Sequence, residues 1–287
     1  MTVDRRSAFA NAPVGLALTS TGGLFLDVNA SLCELLGRPA GDLLGRSLLD
    51  LAPPDAVVAV REGLASLSAR RHTPMRMETR LGRPDGVDVP VQVLASWVEE
   101  ALGVQAHLVV AVDDITERKA LETQLIHRSL HDPLTGLPNR LLFRDRLWHA
   151  LERGRRERTP TCVLVVDLDG FKAINDRMGH PMGDLVLMAF AERLRSVLRA
   201  SDTAARLGGD EFSIVCENTE RPDAGILSGR LRLAVTEPLV LAGEVVAVGV
   251  SIGIGSAPGG EHPDDAIERV VREADDAMYT DKRRRRR

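Results

Sequence analysis

Lysine is almost absent. Only Lys119, Lys172 and Lys282 occur among 37 basic side chains, and the rest are arginine. A codon bias toward G and C accounts for the shortage. It also makes each surviving lysine informative, because a plain surface charge would have been arginine. Cysteine is equally scarce: Cys33, Cys162 and Cys216 are scattered without a C-x-x-C pair. That excludes a disulfide frame or a cysteine zinc site and reads as reduced, buried thiols. Six Phe, two Trp and one Tyr are too few for a base-stacking surface. No apolar run approaches the roughly 18 residues of a membrane span, and the opening Met-Thr-Val-Asp-Arg-Arg leads into no signal-peptide core. The net charge of −4 argues against a nucleic-acid polymer as partner, because such a partner selects a basic face. The expectation is a soluble, cytoplasmic protein that touches no membrane.

What is present suits about two domains, each long enough to bury its own core: 287 residues at roughly 150 per domain. In the first, residues 1–113, short strand patterns (Val14 to Thr19, Leu24 to Val28) are broken by Gly22 and Gly23. Asn29 is placed to cap a helix over Ala30 to Leu36 that stops at Gly37. A second helical stretch runs over Asp42 to Leu51. Strands follow at Val87 to Trp97 and Val104 to Val112, and Pro90 predicts an edge position or a bulge for the former. Residues 114–130 lack glycine and proline and carry an apolar stripe of Leu121, Leu125, Ile126 and Leu130. A short two-stranded coiled coil and a simple packed linker helix fit it equally well.

Residues 131–287 alternate helix and strand patterns, which indicates an α/β layer fold. Helices are expected at Leu141 to Arg155, Asp184 to Leu198, Ile226 to Thr236 and Pro263 to Tyr279. Strands are expected at Cys162 to Leu168, Phe212 to Glu217 and Val245 to Ile254. The first of these strands is almost wholly apolar, as in a strand buried on both faces.

That strand ends in Asp167-Leu168-Asp169-Gly170-Phe171-Lys172. Asp167 and Asp169, at i and i+2, share a face. Two carboxylates closing a buried strand need a cation or donors; the plainer reading is that they cap the following helix. A second acidic site stands at Gly208-Gly209-Asp210-Glu211-Phe212. Its glycines permit a tight hairpin and let a phosphate approach the backbone closely. If this hairpin lies beside the strand of Asp167, several hard oxygens converge, which suits Mg²⁺ and not zinc or copper.

Gly208 to Phe212 resembles the signature of the GGDEF domains, the catalytic units of diguanylate cyclases. Four further blocks resemble the family in the same order: His131 to Arg140, Asp167 to Asp184, Ser251 to Gly253, and Ala274 to Tyr279. The resemblance implies a central mixed sheet surrounded by helices, of the nucleotidyl-cyclase or palm-like kind. It implies condensation of two GTP into cyclic di-GMP, with two Mg²⁺ (or Mn²⁺) per active site. It gives metal-ligand roles to Asp167, the Leu168 carbonyl, Asp210 and Glu211, and catalytic roles to Asp210, Glu211 and Lys172. Asn175 and Asp184 resemble its guanine readers. Phe171, Lys172, Gly208 and Gly209 line the phosphate turn, and Lys282 and Arg286 resemble its late basic pair. Asp184 has a plain reading as a helix cap, Phe212 as a core residue, and Lys172 and Lys282 as surface charges. Arg199 and Asp202, with five residues between Asp202 and Gly208, resemble the product-inhibition site, where cyclic di-GMP would bind. Gly170, Asp281 and Arg285 depart from the family pattern, Gly170 standing where a bulkier residue is usual, a change able to loosen the phosphate turn.

The first domain resembles the PAS family, through Phe9 to Gly15, Asp27 to Gly37 and Val112 to Arg118. The resemblance implies an α+β sensor with an antiparallel sheet and flanking helices, and leaves its ligand unknown. His72 and His107 are weak haem-ligand candidates. Because each catalytic unit would hold one GTP and the product joins two symmetrically, a homodimer is expected. A catalytically silent receptor that binds cyclic di-GMP through Arg199 and Asp202 is the alternative; a cyclase that uses ATP is a rival within the class, against which Asn175 and Asp184 argue.

Overall fold

A computed structural model describes residues 4–69, 73–100 and 105–285. The chain divides into two compact units, Met1–Gln124 and Leu125–Arg287.

In the first unit, helix α1 (Arg5–Ala10) precedes strands β1 (Gly15–Ser20) and β2 (Phe25–Val28). Helices α2 (Ala30–Leu36), α3 (Ala40–Leu43), α4 (Leu48–Leu51) and α5 (Val57–Ala69) follow, then strands β3 (Met75–Gly82), β4 (Asp88–Val98) and β5 (His107–Asp114). The strands form one antiparallel sheet in the order β2-β1-β5-β4-β3. Its inward face, with Ala17, Val91, Val93, Val110 and Val112, packs on Leu32, Leu36, Leu43 and Leu67 of the helices. Asn29 caps α2 as its position suggests, and its amide does more. The side-chain oxygen accepts from Leu32 N (3.0 Å) and Leu16 N (2.8 Å), while the nitrogen donates to the Val14 carbonyl (2.9 Å). One buried side chain thus ties the first strand to the first long helix.

Two expectations change here, and one helix was not anticipated. The helix expected over Asp42 to Leu51 is two short turns, because Gly45 takes φ 78° between them and Ser47 opens α4 with a capping box. Strand β4 is central, not an edge. Pro90 fits because its carbonyl accepts from Ile115 N (3.0 Å), past the last β4–β5 pair, Val91 with Asp114. In a strand N and O point the same way, so the missing proline N–H faces the end of the ladder and costs no strand bond. Helix α5, with four β-branched or glycine positions in its first seven, had no helical signal. It forms because Val60 and Leu67 are buried and Gly63 lets it approach Met75 closely; a Cβ there would lie 2.7 Å from that sulfur. His107 is half-buried with its Nδ1 3.0 Å from the Gln105 carbonyl; His72 lies outside the described residues.

Helix α6 (Thr116–Leu130) spans the division between the units, and Leu121, Leu125 and Ile126 on it are exposed. The second unit continues with α7 (Arg140–Glu157), β6 (Thr161–Asp169), α8 (Phe171–Met178), α9 (His180–Val197), β7 (Thr203–Gly208) and β8 (Glu211–Cys216). It ends with α10 (Arg221–Thr236), β9 (Leu239–Leu241), β10 (Glu244–Val246), β11 (Gly249–Ala257) and α11 (Pro263–Arg285). The main sheet has the order β11-β6-β8-β7. Strands β6 and β7, joined through two helices, run parallel, but β8 sits between them, so each hydrogen-bonded neighbour is antiparallel. Even positions of β6 (Cys162, Leu164, Val166, Leu168) face α9 and α10, and Val163 and Val165 face α7 and α11. Buried on both faces, β6 is the apolar central strand its sequence predicts. The single strand expected over Val245 to Ile254 is divided: Ala242 (φ 50°) and Gly243 (φ 86°) turn a separate β9–β10 hairpin before β11 begins.

Candidate active site

The site is made where β6 ends. Asp167 lies directly opposite Glu211 across the β6–β8 ladder and opposite Ser251 across β6–β11, so the three side chains share one face. Asp167 is buried, only 6% exposed, at the end of the apolar run. Asp169, two residues on, keeps the same face and accepts a hydrogen bond from the Ser251 hydroxyl at 2.7 Å. Neither acid caps the next helix: α8 starts from Gly170 with no side-chain cap. Gly170 sits at φ 78°, a left-handed conformation in which glycine relieves strain where a bulkier residue would not.

Between β7 and β8 the chain turns through Gly208 (φ 146°) and Gly209 (φ 54°), and nothing lies within 4 Å of where a Cβ would stand on either. This is open space beside exposed backbone, as a close-approaching phosphate requires. Asp210 follows; its carbonyl accepts from Leu168 N at 3.3 Å, fastening the turn to the end of β6. Phe212 is fully buried and meets Phe190 edge-on at 4.8 Å, so it belongs to the core.

Arg206 anchors this turn, and its role was not singled out from the sequence. Its Nε and Nη2 donate to the Gly209 carbonyl at 3.0 and 2.8 Å, and Nη1 reaches both Asp132 oxygens at 3.0 and 3.1 Å. Burial by itself would raise the Asp132 pKa, but hydrogen bonds from the Thr135 hydroxyl and backbone and from Arg206 outweigh it. The carboxyl is held below its ordinary value. The opening block of the second unit therefore braces the acidic hairpin.

Helix α11 approaches the same place over glycines. A Cβ on Gly253 would lie 1.9 Å from the Ala274 carbonyl and one on Gly255 2.0 Å from that of Val270, so the helix lies directly on β11. The approach brings Lys282 Nζ to 2.6 Å from Asp167 Oδ1, giving the buried carboxylate its counter-charge. Arg286 lies outside the described residues. Lys172 is exposed at the start of α8 and makes no ion pair among the described residues.

Asn175, on α8, has a buried side-chain oxygen with no partner. Gly183 on α9 makes room for it: a Cβ there would lie 2.0 Å from that oxygen and 3.1 Å from the Phe171 ring. Asp184 follows and is exposed. It is not a cap, because α9 begins at His180, with Gly179 before it. An orphaned acceptor and the Phe171 ring thus meet at Gly183 on the α8–α9 junction, and the exposed Asp184 is the next residue of the chain.

The donor set fits Mg²⁺. Asp167 and Glu211 are adjacent carboxylates, Asp210 is next in the chain, and the Leu168 carbonyl points to the Asp210 side because its N–H does. Among the described residues no three His, Cys, Asp or Glu side chains form a ready cage. Magnesium does not need one, since it keeps waters and takes one or two carboxylates plus substrate phosphates.

Arg199 and Asp202 form a tight turn after α9, Arg199 N donating to Asp202 Oδ2 at 3.0 Å and Asp202 N to the Arg199 carbonyl at 3.0 Å. They line a small cavity of about 60 Å³ with Asp223 and Arg230, and a larger cleft of about 470 Å³ with Arg146 and Arg195. The added arginines, supplied by three different helices, could not be assigned from spacing.

The family described as diguanylate cyclase, GGDEF domain, matches residues 129–287, and the PAS fold matches residues 9–120. An uncharacterized signaling protein of Caulobacter vibrioides is 34% identical over 96% of this chain and 33% of its own length. The bifunctional diguanylate cyclase/cyclic di-GMP phosphodiesterase MucR of Pseudomonas aeruginosa is 44% identical over 54% of this chain and 22% of its own. This chain thus spans a third or less of those curated relatives. Among solved structures, the coiled coil and GGDEF domain of DgcB from Caulobacter crescentus, in complex with c-di-GMP, matches with a TM-score of 0.52. It is 31% identical and covers 58% of this chain and 87% of that one.

Proposed function

The chain belongs to the diguanylate cyclase GGDEF domain family, with a PAS fold ahead of it, and on that premise we propose that it condenses two GTP into cyclic di-GMP. In each of two steps a ribose 3′-oxygen bonds to an α-phosphorus, the α–β phosphoanhydride bond breaks and pyrophosphate leaves. The observation that carries the reading is the register of β6 and β8. It sets the carboxylates of Asp167 and Glu211 side by side next to a glycine turn with open space around it.

The residues divide the task by their chemistry. Open backbone at Gly208 and Gly209 admits a phosphate. The ammonium groups of Lys172 and Lys282 offset triphosphate charge. The Asn175 oxygen and the Asp184 carboxylate accept the N–H donors of guanine, and adenine would leave one of them unpaired. The chemistry that bound Mg²⁺ or Mn²⁺ supplies beside Asp167, Asp210 and Glu211 is neutralisation of the triphosphate and activation of the 3′-hydroxyl.

Two copies must face each other, since each site holds one GTP. The exposed Leu121, Leu125 and Ile126 of α6 provide an apolar seam for that pairing. The PAS unit would bias the pairing, and cyclic di-GMP at Arg199 and Asp202 would slow turnover. The test is Asp210→Ala, which should abolish cyclic di-GMP formation while leaving the melting temperature close to wild type; near-normal turnover would defeat the assignment. Full activity in a strictly monomeric preparation would defeat the pairing.

A further inference from the structure

Helix α11 loses its apolar anchor before it reaches the site. Its last buried residue is Met278, and its final turn carries Lys282, Arg283, Arg284 and Arg285 in succession. Four neighbouring cations repel one another, and an unanchored helix end frays. Yet Lys282 has to be held at a fixed place, 2.6 Å from Asp167.

The only acid in that turn is Asp281. Its Oδ2 accepts from Arg232 Nη2 on α10 (2.7 Å), from Ile252 N on β11 (3.1 Å) and from Arg285 Nε (3.3 Å). Arg232 also donates through Nη1 to the Val250 carbonyl at 3.0 Å. Ile252 adjoins Ser251, the direct cross-strand neighbour of Asp167. The clamp therefore fastens the helix end to the strand that lies beside the site. Burial alone would raise the Asp281 pKa, and the bonds from Arg232 and Ile252 more than offset it, so the carboxylate stays charged.

We propose that Asp281 is a positioning residue: through Arg232 and the Ile252 N–H it holds the last turn of α11 so that Lys282 reaches Asp167 and, with GTP bound, the terminal phosphates. The role of Lys282 toward GTP rests on the function proposed above; the dependence of Lys282 on Asp281 does not.

Because the chain has only three lysines, each can be followed separately. The full-length protein is treated with limiting acetic anhydride and the labelling of each lysine is read by peptide mass spectrometry, exposed Lys172 being the internal reference. In the wild type, Lys282 should label several-fold more slowly than Lys172. In Asp281→Ala it should approach the Lys172 rate, with Asp281→Asn, which keeps an acceptor for Ile252 N–H, in between. If the alanine variant does not fold, the asparagine variant reads the same effect. In kinetics, Asp281→Ala should raise the KM for GTP about ten-fold with a smaller change in kcat. The same substitution in a Lys282→Ala background should add nothing further.

Unchanged Lys282 labelling in both Asp281 variants would overturn the proposal, and so would additive effects in the double variant. If labelling responds as expected but the wild type makes no cyclic di-GMP, the positioning role stands and the cyclase reading falls.

Discussion

Arg206→Lys is the sharpest perturbation of the site. The guanidinium is 11% exposed and its partner Asp132 18%, so the pair is largely desolvated. A lysine keeps the charge but not the fork. It can serve one Asp132 oxygen or the Gly209 carbonyl, but not the four contacts now made at 2.8 to 3.1 Å. Each hydrogen bond to a charged group contributes about 1.5–3 kcal/mol. With partial replacement by the ammonium, which keeps the charge beside Asp132, the net loss is about 3 kcal/mol. For a unit of this size that corresponds to a fall in melting temperature of roughly 6–12 °C. The catalytic effect should be larger than the structural one, because the freed Gly209 carbonyl is one residue from Asp210. A displacement of the hairpin by about 1 Å would cost about 100-fold in turnover. Circular dichroism gives the first quantity and chromatographic detection of cyclic di-GMP the second. If Arg206→Lys melts and turns over like the wild type, the fork is not what holds the turn, and the account of the hairpin is wrong.

Gly183→Ala places a methyl 2.0 Å from the Asn175 oxygen and should raise the GTP dissociation constant, measured by calorimetry, about ten-fold; unchanged affinity would remove Asn175 from base recognition. Arg199→Ala should keep progress curves linear where accumulating product bends those of the wild type; equal curvature would dismiss the Arg199–Asp202 turn as an inhibitory site. Acid should unfold the second unit early. Asp132 and Asp281 have folded pKa values below their ordinary 3.8, so their stabilisation is complete above that value and lost as pH falls through the lowered ones. The melting temperature should be flat from about pH 7 to 5 and fall below about pH 4; a flat profile to about pH 3 would contradict the role of these pairs.

Much of the site was legible because its signals are local. The alternation Asp167–Asp169 puts two acids on one face, and the paired glycines announce a hairpin; both features follow from two to five consecutive residues. The Asn29 cap and the αL stop at Gly37 are of the same kind. What stayed hidden depends on distant partners. Arg206 meets Asp132 74 positions away and Arg232 meets Asp281 49 away, and only the folded sheet brings them together. Strand β3 alternates cleanly, Met75, Met77, Thr79 and Leu81 against Arg76, Glu78 and Arg80, but methionine, arginine and glutamate carry no β preference to mark it; α5 stayed hidden because burial against β3 overrides the poor helix propensity of its valines. The Pro90 expectation failed for a related reason. Its rule concerns an unmet ladder bond, and at the end of β5 there is none to lose.

The central claim is most directly tested by incubating the purified chain with GTP and Mg²⁺ and following cyclic di-GMP and pyrophosphate together. A diguanylate cyclase yields one cyclic di-GMP and two pyrophosphates per two GTP, with no product from ATP and none from Asp210→Ala. GTP left intact, while added cyclic di-GMP binds and Arg199→Ala abolishes that binding, would contradict that claim and make the chain a receptor for the dinucleotide instead.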